Sequence, residues 1–199
     1  MTNAVLIRLT RPLVEGMQAD LRRPHPYAVE RVGFLFARKG SGPPGTTLLF
    51  PIEYHAVPDD QYIEGLALWE GAAINGDAMR SAMERVMATK LSALHVHLHD
   101  HLGRPRLSRT DWRDLPDVAR SFRHADPTLI HGGIVLSRDA ATGAVWLPDV
   151  PIGEPALPRI SIVGYPLRIA SSASQYGGDV SVGEEKEEGD GLRDEDGSL

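Results

Sequence analysis

Four histidines at alternate positions mark the stretch LHVHLHDHLGRPRLSRTD, which runs from Leu94 to Asp111. They are His95, His97, His99 and His101, half of the eight histidines in the chain. Because side chains alternate between the two faces of a β-strand, a strand here would turn all four imidazoles to one side. Two neutral imidazoles on one face can reach a single metal ion, and zinc then needs one more protein ligand. A carboxylate from a nearby turn would complete the set, with Asp111 as the first candidate, ahead of Asp114 and Asp100.

The plainer alternative is a solvated strand face that carries histidine without binding a metal. Strand periodicity alone does not choose between this alternative and a metal site. A His-x-His pair is also not specific for one reaction, because carbonic anhydrases, metallo-β-lactamases and cupins all use one in different settings. The residues that follow the histidines therefore carry the distinction.

The longer pattern HLHDHLGRPRLSRTD has the order His-x-His, a turn, and then Ser-x-x-Asp. This order resembles the JAMM motif of the MPN/JAB-domain metalloproteases, a family in which a catalytic glutamate lies far upstream at the start of a strand. The segment AVERVGFLFARKG is similar to that upstream strand, with Glu30 and Gly33 at the matching positions. HGGIVLS followed by GAVW resembles a later pair of strands in the family. The resemblance covers roughly residues 5–168.

The distance to the serine bears on which histidines form the pair. The gap from His99 to Ser108 is one residue longer than the family usually has, and an aspartate replaces the usual proline after the second histidine. With His95 and His97 as the pair, the gap would be three residues too long. We therefore expect His97 and His99 to bind the metal. His95 would then support the site from further down the strand, and His101 would lie in the loop.

The resemblance implies a role for each residue of the motif. His97, His99 and Asp111 would bind a single zinc ion, with water in the fourth position. Glu30 would act as general base on that water and carry the proton to the leaving amine. Ser108 would donate a hydrogen bond to the oxyanion of the tetrahedral intermediate.

Two plainer roles stay open for these side chains. Glu30 could pair with Arg31 or Arg38 at a strand end. Ser108 or Thr110 could be the N-cap of a helix that begins in SRTDWRD, and for Ser108 this role is compatible with the catalytic one.

The resemblance also implies a reaction and its partners. The family cleaves the bond after the C-terminal glycines of ubiquitin or a ubiquitin-like protein, and a composition rich in Arg, Ala, Gly and Pro is typical of bacteria. We expect a zinc metalloprotease that removes or matures a bacterial ubiquitin-like protein. Its expected partners are the E1-like and E2-like proteins of the same antiphage conjugation system. The segment from His55 to Gly71 is the expected substrate-contacting insertion, with Tyr62, Leu66 and Trp69 as apolar anchors. The alternatives are a zinc hydrolase of small amides, a metal-free MPN-type scaffold and a passive histidine-rich metal-binding module.

Composition and charge argue against several classes of protein. The chain has 199 residues, a formal net charge of −6 and no cysteine. The negative charge argues against a nucleic-acid partner, and the missing cysteine removes disulfides, a zinc ribbon and a thiol nucleophile. The first residues do not read as a signal peptide, and no apolar run reaches the ~20 residues of a membrane helix. We expect a cytoplasmic protein without membrane contact.

Helices and strands must position the motif. Helical spacing predicts helices at residues 9–22 and 75–90, the second capped by Asn75 or Asp77, with Met87 on its apolar face. A shorter helix is expected from about Asp111, disturbed by Pro116. Apolar runs predict strands at 28–40, 46–57, 91–101, 129–137, 143–150 and 159–169, with a further short strand at 65–69. Val29 is expected to be buried in the first strand, and Pro51 to mark a bulge or an edge in the second.

These elements predict an α/β fold of the α+β type, in which helices flank a mixed β-sheet. The family resemblance narrows this expectation to the MPN/JAB-like, cytidine-deaminase-like arrangement of three layers. We expect one domain at residues 1–170. The acidic segment at 171–199 cannot bury enough apolar surface to order itself, so we expect a disordered tail there.

Overall fold

The computed structural model describes residues 4–65, 71–148 and 150–164, and within them seven strands form one mixed sheet. The strands are β1 Ala4–Thr10, β2 Val32–Ser41, β3 Thr46–Ala56, β4 Ser92–Leu98, β5 His131–Leu136, β6 Ala141–Trp146 and β7 Arg159–Val163. The α-helices are α1 Arg11–Leu21, α2 Gly76–Thr89 and α3 Arg109–Ala125, and a 3-10 turn covers Asp59–Gln61. The predicted mixed α/β sheet is confirmed. The predicted domain boundary and acidic tail lie outside the described residues.

The strand order β6-β5-β4-β2-β3-β1-β7 places β4 in the interior of the sheet, antiparallel to β2 and parallel to β5. Helix α1 covers one face, where Met17 shares a core with Leu94 and Val96 of β4. Helices α2 and α3 cover the other face, where Val86 and Phe122 share a second core. Because alternate residues of β4 point to opposite faces, its histidines face α2 and α3.

The first strand corrects the expected helix at residues 9–22. Residues Ala4–Thr10 form β1, which pairs in parallel with β3 and β7, and the helix begins only at Arg11. Val5, Ile7 and Leu9 are buried at alternate positions, which is the period of a strand. Leu9 also fits the helical spacing of the residues that follow, so this spacing alone places the predicted start of the helix too early in the chain. Pro12 lies in the first turn of α1, as expected.

The second strand starts later than expected, and this change concerns the candidate base. β2 begins at Val32, so Glu30 lies in a bend just before the strand and not within it. Val29 is 72% exposed, so its expected place in the core was wrong. Pro51 lies beside a break in the register of β2 and β3, between the pairs Phe36–Glu53 and Ala37–Pro51, which confirms the expected bulge.

The helices differ from expectation mainly in length and in one buried residue. Asn75 caps α2 through its side-chain oxygen, as expected, but Met87 is 48% exposed rather than in the core. Helix α3 is the longest at 17 residues, and Pro116 lies inside it without ending it. Helix α3 approaches the sheet closely at Gly133 of β5, where a Cβ atom would collide with the Leu115 side chain.

The remaining differences concern the ends of elements. The last strand is shorter than expected, because β7 ends at Val163. Most of the short strand expected at 65–69 lies outside the described residues. No helix in the described part of the chain is long and apolar enough to cross a membrane.

Candidate metal centre

The four histidines form a ladder of rings along β4 and the loop after it. The ring centroids of His95 and His97 lie 5.7 Å apart, those of His97 and His99 5.0 Å, and those of His99 and His101 6.2 Å. β4 ends at Leu98, so His99 follows directly after the strand and His101 lies in the exposed loop beyond. The strand alternation that the sequence predicts is therefore present through His97.

Glu30, His97 and His99 converge on one point. The Nε2 atoms of His97 and His99 lie 3.2 Å apart, and His99 Nε2 lies 3.8 Å from Glu30 Oε1. One ligand atom from each of the three side chains lies within 4.8 Å of the other two, so this group could hold a metal ion. The three residues meet because β2 and β4 pair with Val32 opposite His97, which carries the bend at Glu30 to the end of β4.

Asp111 joins the group through His97. Its Oδ1 atom lies 3.4 Å from His97 Nε2, and its side chain is 11% exposed. Asp111 is the third residue of α3, and its Oδ2 atom accepts a hydrogen bond of 2.6 Å from the backbone N–H of Ser108. The bond fixes one carboxylate oxygen and leaves the other directed toward the histidine. Asp111 therefore lies next to the cluster but outside the tightest three-residue group.

Ser108 is the N-cap of α3, one of the two roles considered for it. Its Oγ atom accepts the Asp111 N–H at 3.0 Å, and together with the reverse bond this forms a capping box. The hydroxyl oxygen uses a lone pair in this bond, so its proton can still be donated elsewhere. Ser108 also lines the cavity described below.

Burial favours the uncharged form of His95, His97 and His99 and makes the carboxyl group of Glu30 less acidic. It lowers the pKa of His95 to about 4, and it also lowers the pKa values of His97 and His99. Neutral imidazole is the form that binds a metal, because its ring nitrogen then carries a free lone pair. Burial raises the pKa of Glu30 to about 7, and the negative charge of Asp111 adds to this shift.

The cluster opens into a cavity of about 600 Å³. The polar residues that line the cavity are Glu30, His95, His97, His99, Ser108, Thr110, Asp111 and Asp114. The apolar residues of the lining include Val32, Ile63, Ile74, Met79, Leu115 and Val118. A few convergent polar groups in a largely apolar cavity are typical of a site for a small molecule or for one segment of a larger substrate.

Glu30 does not form the ion pair with Arg31 that was the structural alternative to a catalytic role. The guanidinium of Arg31 binds both carboxylate oxygens of Asp59, at 2.7 and 3.2 Å, and the backbone carbonyls of Arg23 and Pro24. These bonds raise the pKa of Arg31 and lower that of Asp59. The carboxylate of Glu30 is left facing His99 and the cavity.

The other two histidines occupy different surroundings. His95 lies deeper along β4 and lines the cavity, and its buried Nδ1 atom has no hydrogen-bond partner in the described part of the chain. His101 is exposed, and its Nδ1 atom lies 2.8 Å from the carbonyl oxygen of Leu102. His95 therefore lies further down the strand and His101 in the loop, where each was expected.

The expected substrate-contacting insertion needs correction at Tyr62. This side chain is only 5% exposed and belongs to the core that Val86 and Phe122 share, so it is not a surface anchor. Leu66 and Trp69 lie outside the described residues. The residue that sequence reasoning missed is Gly71, whose carbonyl oxygen accepts the N–H groups of Val29 and Glu30. A single glycine in a loop carries no sequence signal for such a distant contact.

No protein-family model matches this chain, and a search of curated proteins finds no match either.

Proposed function

We propose that this protein is a zinc-dependent peptidase or isopeptidase of the MPN/JAB type. It removes a bacterial ubiquitin-like protein from a conjugate or matures its precursor. The observation that carries the proposal is the convergence of Glu30, His97 and His99, with Asp111 beside His97, in the wall of one cavity. These are the residues that the His-x-His and Ser-x-x-Asp pattern and its upstream glutamate single out in the sequence.

The donor set fits zinc, because two neutral imidazoles and a carboxylate are common protein ligands of this ion. Zinc, when bound, polarises the scissile carbonyl and makes a bound water more acidic. In the proposed assignment, His97, His99 and Asp111 hold the ion. The capping box of α3 keeps Asp111 directed toward His97 during turnover.

Glu30 moves the proton in this mechanism. A pKa of about 7 suits a general base that works near neutral pH, because the group can both accept and release a proton there. Glu30 takes a proton from the attacking water and passes it to the leaving amine. Ser108 donates its hydroxyl proton as a hydrogen bond to the oxyanion that forms at the scissile carbon.

The substrate is an extended chain end. The apolar residues that line the cavity offer contacts for the side chains that flank the scissile bond, and one of them, Ile63, is exposed. We propose E1-like and E2-like proteins of the same conjugation system as partners. The absence of cysteine is compatible with a cytoplasmic location, which we propose for the reaction.

A second candidate is a zinc hydrolase that acts on a small amide. The cavity volume of about 600 Å³ favours it, because this size is within the range of enclosed small-molecule sites. The same residues would perform the same proton transfers, and only the leaving group would differ.

The test compares wild-type protein with Glu30→Gln, and with Glu84→Gln as a matched change at an exposed position of α2. Zinc content is measured by mass spectrometry on tag-free protein. Activity is measured with a ubiquitin-like protein joined through Gly-Gly to a reporter, and with a panel of small acyl amides.

We expect a single zinc ion per chain in all three proteins. Fusion cleavage should fall by about 10²-fold or more in Glu30→Gln and stay unchanged in Glu84→Gln, because only the first removes the base. An active Glu30→Gln protein would overturn the role of Glu30. Hydrolysis of small amides alone would favour the second candidate. Wild-type protein that takes up no zinc would favour a metal-free scaffold.

A further inference from the structure

Two short segments between β3 and α2 are paired with each other. They are residues 59–63 and 71–75, which we call the paired arms. Tyr62 and Ile74 form an antiparallel bridge, the Ile63 N–H donates to the Ala73 carbonyl at 2.8 Å, and the Asn75 N–H donates to the Gln61 carbonyl at 2.8 Å. The second arm leads directly into α2 through its N-cap Asn75. The arms are therefore anchored to the fold at their base.

The paired arms bond to the backbone on both sides of Glu30. The Gly71 carbonyl oxygen accepts the N–H of Val29 at 2.8 Å and the N–H of Glu30 at 3.1 Å. On the other side, the Tyr62 hydroxyl accepts the N–H of Val32 at 2.8 Å. The residue between them, Arg31, binds Asp59 of the first arm. Four successive residues, 29–32, are thus held by the same two segments.

Gly71 also shapes the space around the Glu30 side chain. Its φ angle is +72°, a conformation that side chains rarely adopt. A Cβ atom at this position would lie 3.3 Å from Glu30 Oε2 and 3.5 Å from Cδ. The closest neighbours are the end of a flexible side chain and not the backbone. A side chain at position 71 would therefore shift the Glu30 carboxylate by a few tenths of an ångström and leave the sheet in place.

We propose that the paired arms position the Glu30 carboxylate at the metal centre and that Gly71 is the positioning residue of this device. Gly71 fixes the Glu30 backbone through its carbonyl oxygen and leaves room for the carboxylate because it has no side chain. The inference rests on the proposed function for the catalytic role of Glu30. The placement of Glu30 itself can be tested without any activity.

The experiment compares wild type with Gly71→Ala and with Gly65→Ala. Gly65 is the matched control, because its φ angle is +86° and no atom of the described residues lies within 4 Å of a Cβ atom there. Both changes place a side chain in the same unfavourable backbone conformation, but only one meets Glu30. Two quantities are measured: amide hydrogen exchange of Val29 and Glu30 by NMR on metal-free protein, and kcat and KM for the fusion substrate on zinc-loaded protein.

We expect the Glu30 amide of Gly71→Ala to exchange about fivefold faster than in wild type, since the bonds to Gly71 open more often. We expect kcat to fall about tenfold or more while KM changes by less than about twofold, because a misplaced base affects the chemical step. Gly65→Ala should match wild type in both measurements.

Gly71→Ala that behaves like Gly65→Ala in both exchange and kcat would overturn the proposal. An equal loss of kcat in both variants would also overturn it, because the effect would then be general strain. If wild-type protein cleaves no substrate, the proposed function is wrong, but this result does not decide the proposal about Gly71. Amide exchange alone then decides whether Gly71 holds Glu30 in place.

Discussion

His97 and Asp111 meet across two elements of the fold, with His97 Nε2 and Asp111 Oδ1 3.4 Å apart. His97 is fixed by β4 in the interior of the sheet, and Asp111 is fixed by the first turn of α3. The same carboxylate that caps the helix through one oxygen contacts the histidine through the other. The start of α3 is therefore part of the candidate metal centre, and helix capping and metal binding should depend on each other.

Replacing the helix cap should weaken metal binding as well as the fold. Ser108→Ala removes the acceptor for the Asp111 N–H, and the loss of an N-cap side chain costs about 1 kcal/mol of unfolding free energy. Zinc affinity should also fall by about 10-fold or more, because the first turn of α3, which holds Asp111 beside His97, loses one of the two bonds of its capping box. The measurements are urea denaturation of metal-free protein and zinc titration with a competing chelator.

The matched control for this cap is Asn75→Ala at the start of α2, where the side chain accepts the N–H groups of Asp77 and Ala78. We expect a similar loss of stability with unchanged zinc affinity. Equal zinc affinities in the two variants would show that the cap of α3 does not orient Asp111.

The two histidines that follow β4 should differ sharply in metal binding. His99→Ala removes a donor whose Nε2 atom lies 3.2 Å from that of His97, so zinc stoichiometry should fall well below that of wild type. His101→Ala changes an exposed loop residue and should retain the ion. Mass spectrometry of the protein after dialysis measures both. Zinc retained in His99→Ala but lost in His101→Ala would mean that the pair is shifted along the chain.

A buried histidine outside the candidate site should make the fold sensitive to acid. His131 of β5 accepts the Ala93 N–H at 3.0 Å through Nδ1 and stacks on Phe122, and burial lowers its pKa to about 4. Its ordinary value is 6.5, so the unfolded chain binds the proton first. The stability that depends on neutral His131 is complete above pH 6.5 and is lost as the pH falls toward 4. The difference corresponds to about 3 kcal/mol at most.

The variant that tests this dependence is His131→Asn, whose side-chain oxygen can still accept the Ala93 N–H. Between pH 7 and 4.5, its unfolding free energy should fall less steeply than that of wild type. Urea denaturation of metal-free protein at several pH values gives the slopes. His124→Asn, at an exposed position of α3, is the control and should keep the wild-type slope. Identical slopes for His131→Asn and wild type would contradict the prediction.

Local sequence signals predicted where several residues of the candidate site lie in the strands and helices. Alternation in β4 placed His95 and His97 on one face, and the sequence predicted a helix start near Asp111 with Ser108 or Thr110 as its cap, of which the structure has Ser108. Asn75 as a cap and Pro51 at a bulge were also predictable, because each of these effects depends on residues that are close in sequence.

Features that depend on distant parts of the chain could not be predicted in the same way. Leu9 fits both a helical and a strand period, and only the parallel pairing of β1 with β3 and β7 decides for the strand. Tyrosine is a suitable residue type for a surface anchor, but the hydroxyl of Tyr62 bonds to the backbone of Val32 and its ring is buried. Gly71 bonds to residues about 40 positions earlier, a separation that no local pattern records.

The pairing of β4 with β2 has a consequence for how mutations can reach the metal centre. A slip of β4 by a single residue would turn its histidines toward α1 and its apolar residues toward the cavity. Leu94 and Val96, both fully buried on the α1 side, oppose such a slip. Substitutions there would disturb the ligands without touching them. The apolar residues on the α1 side of β4 therefore keep its imidazoles on the side of the cavity.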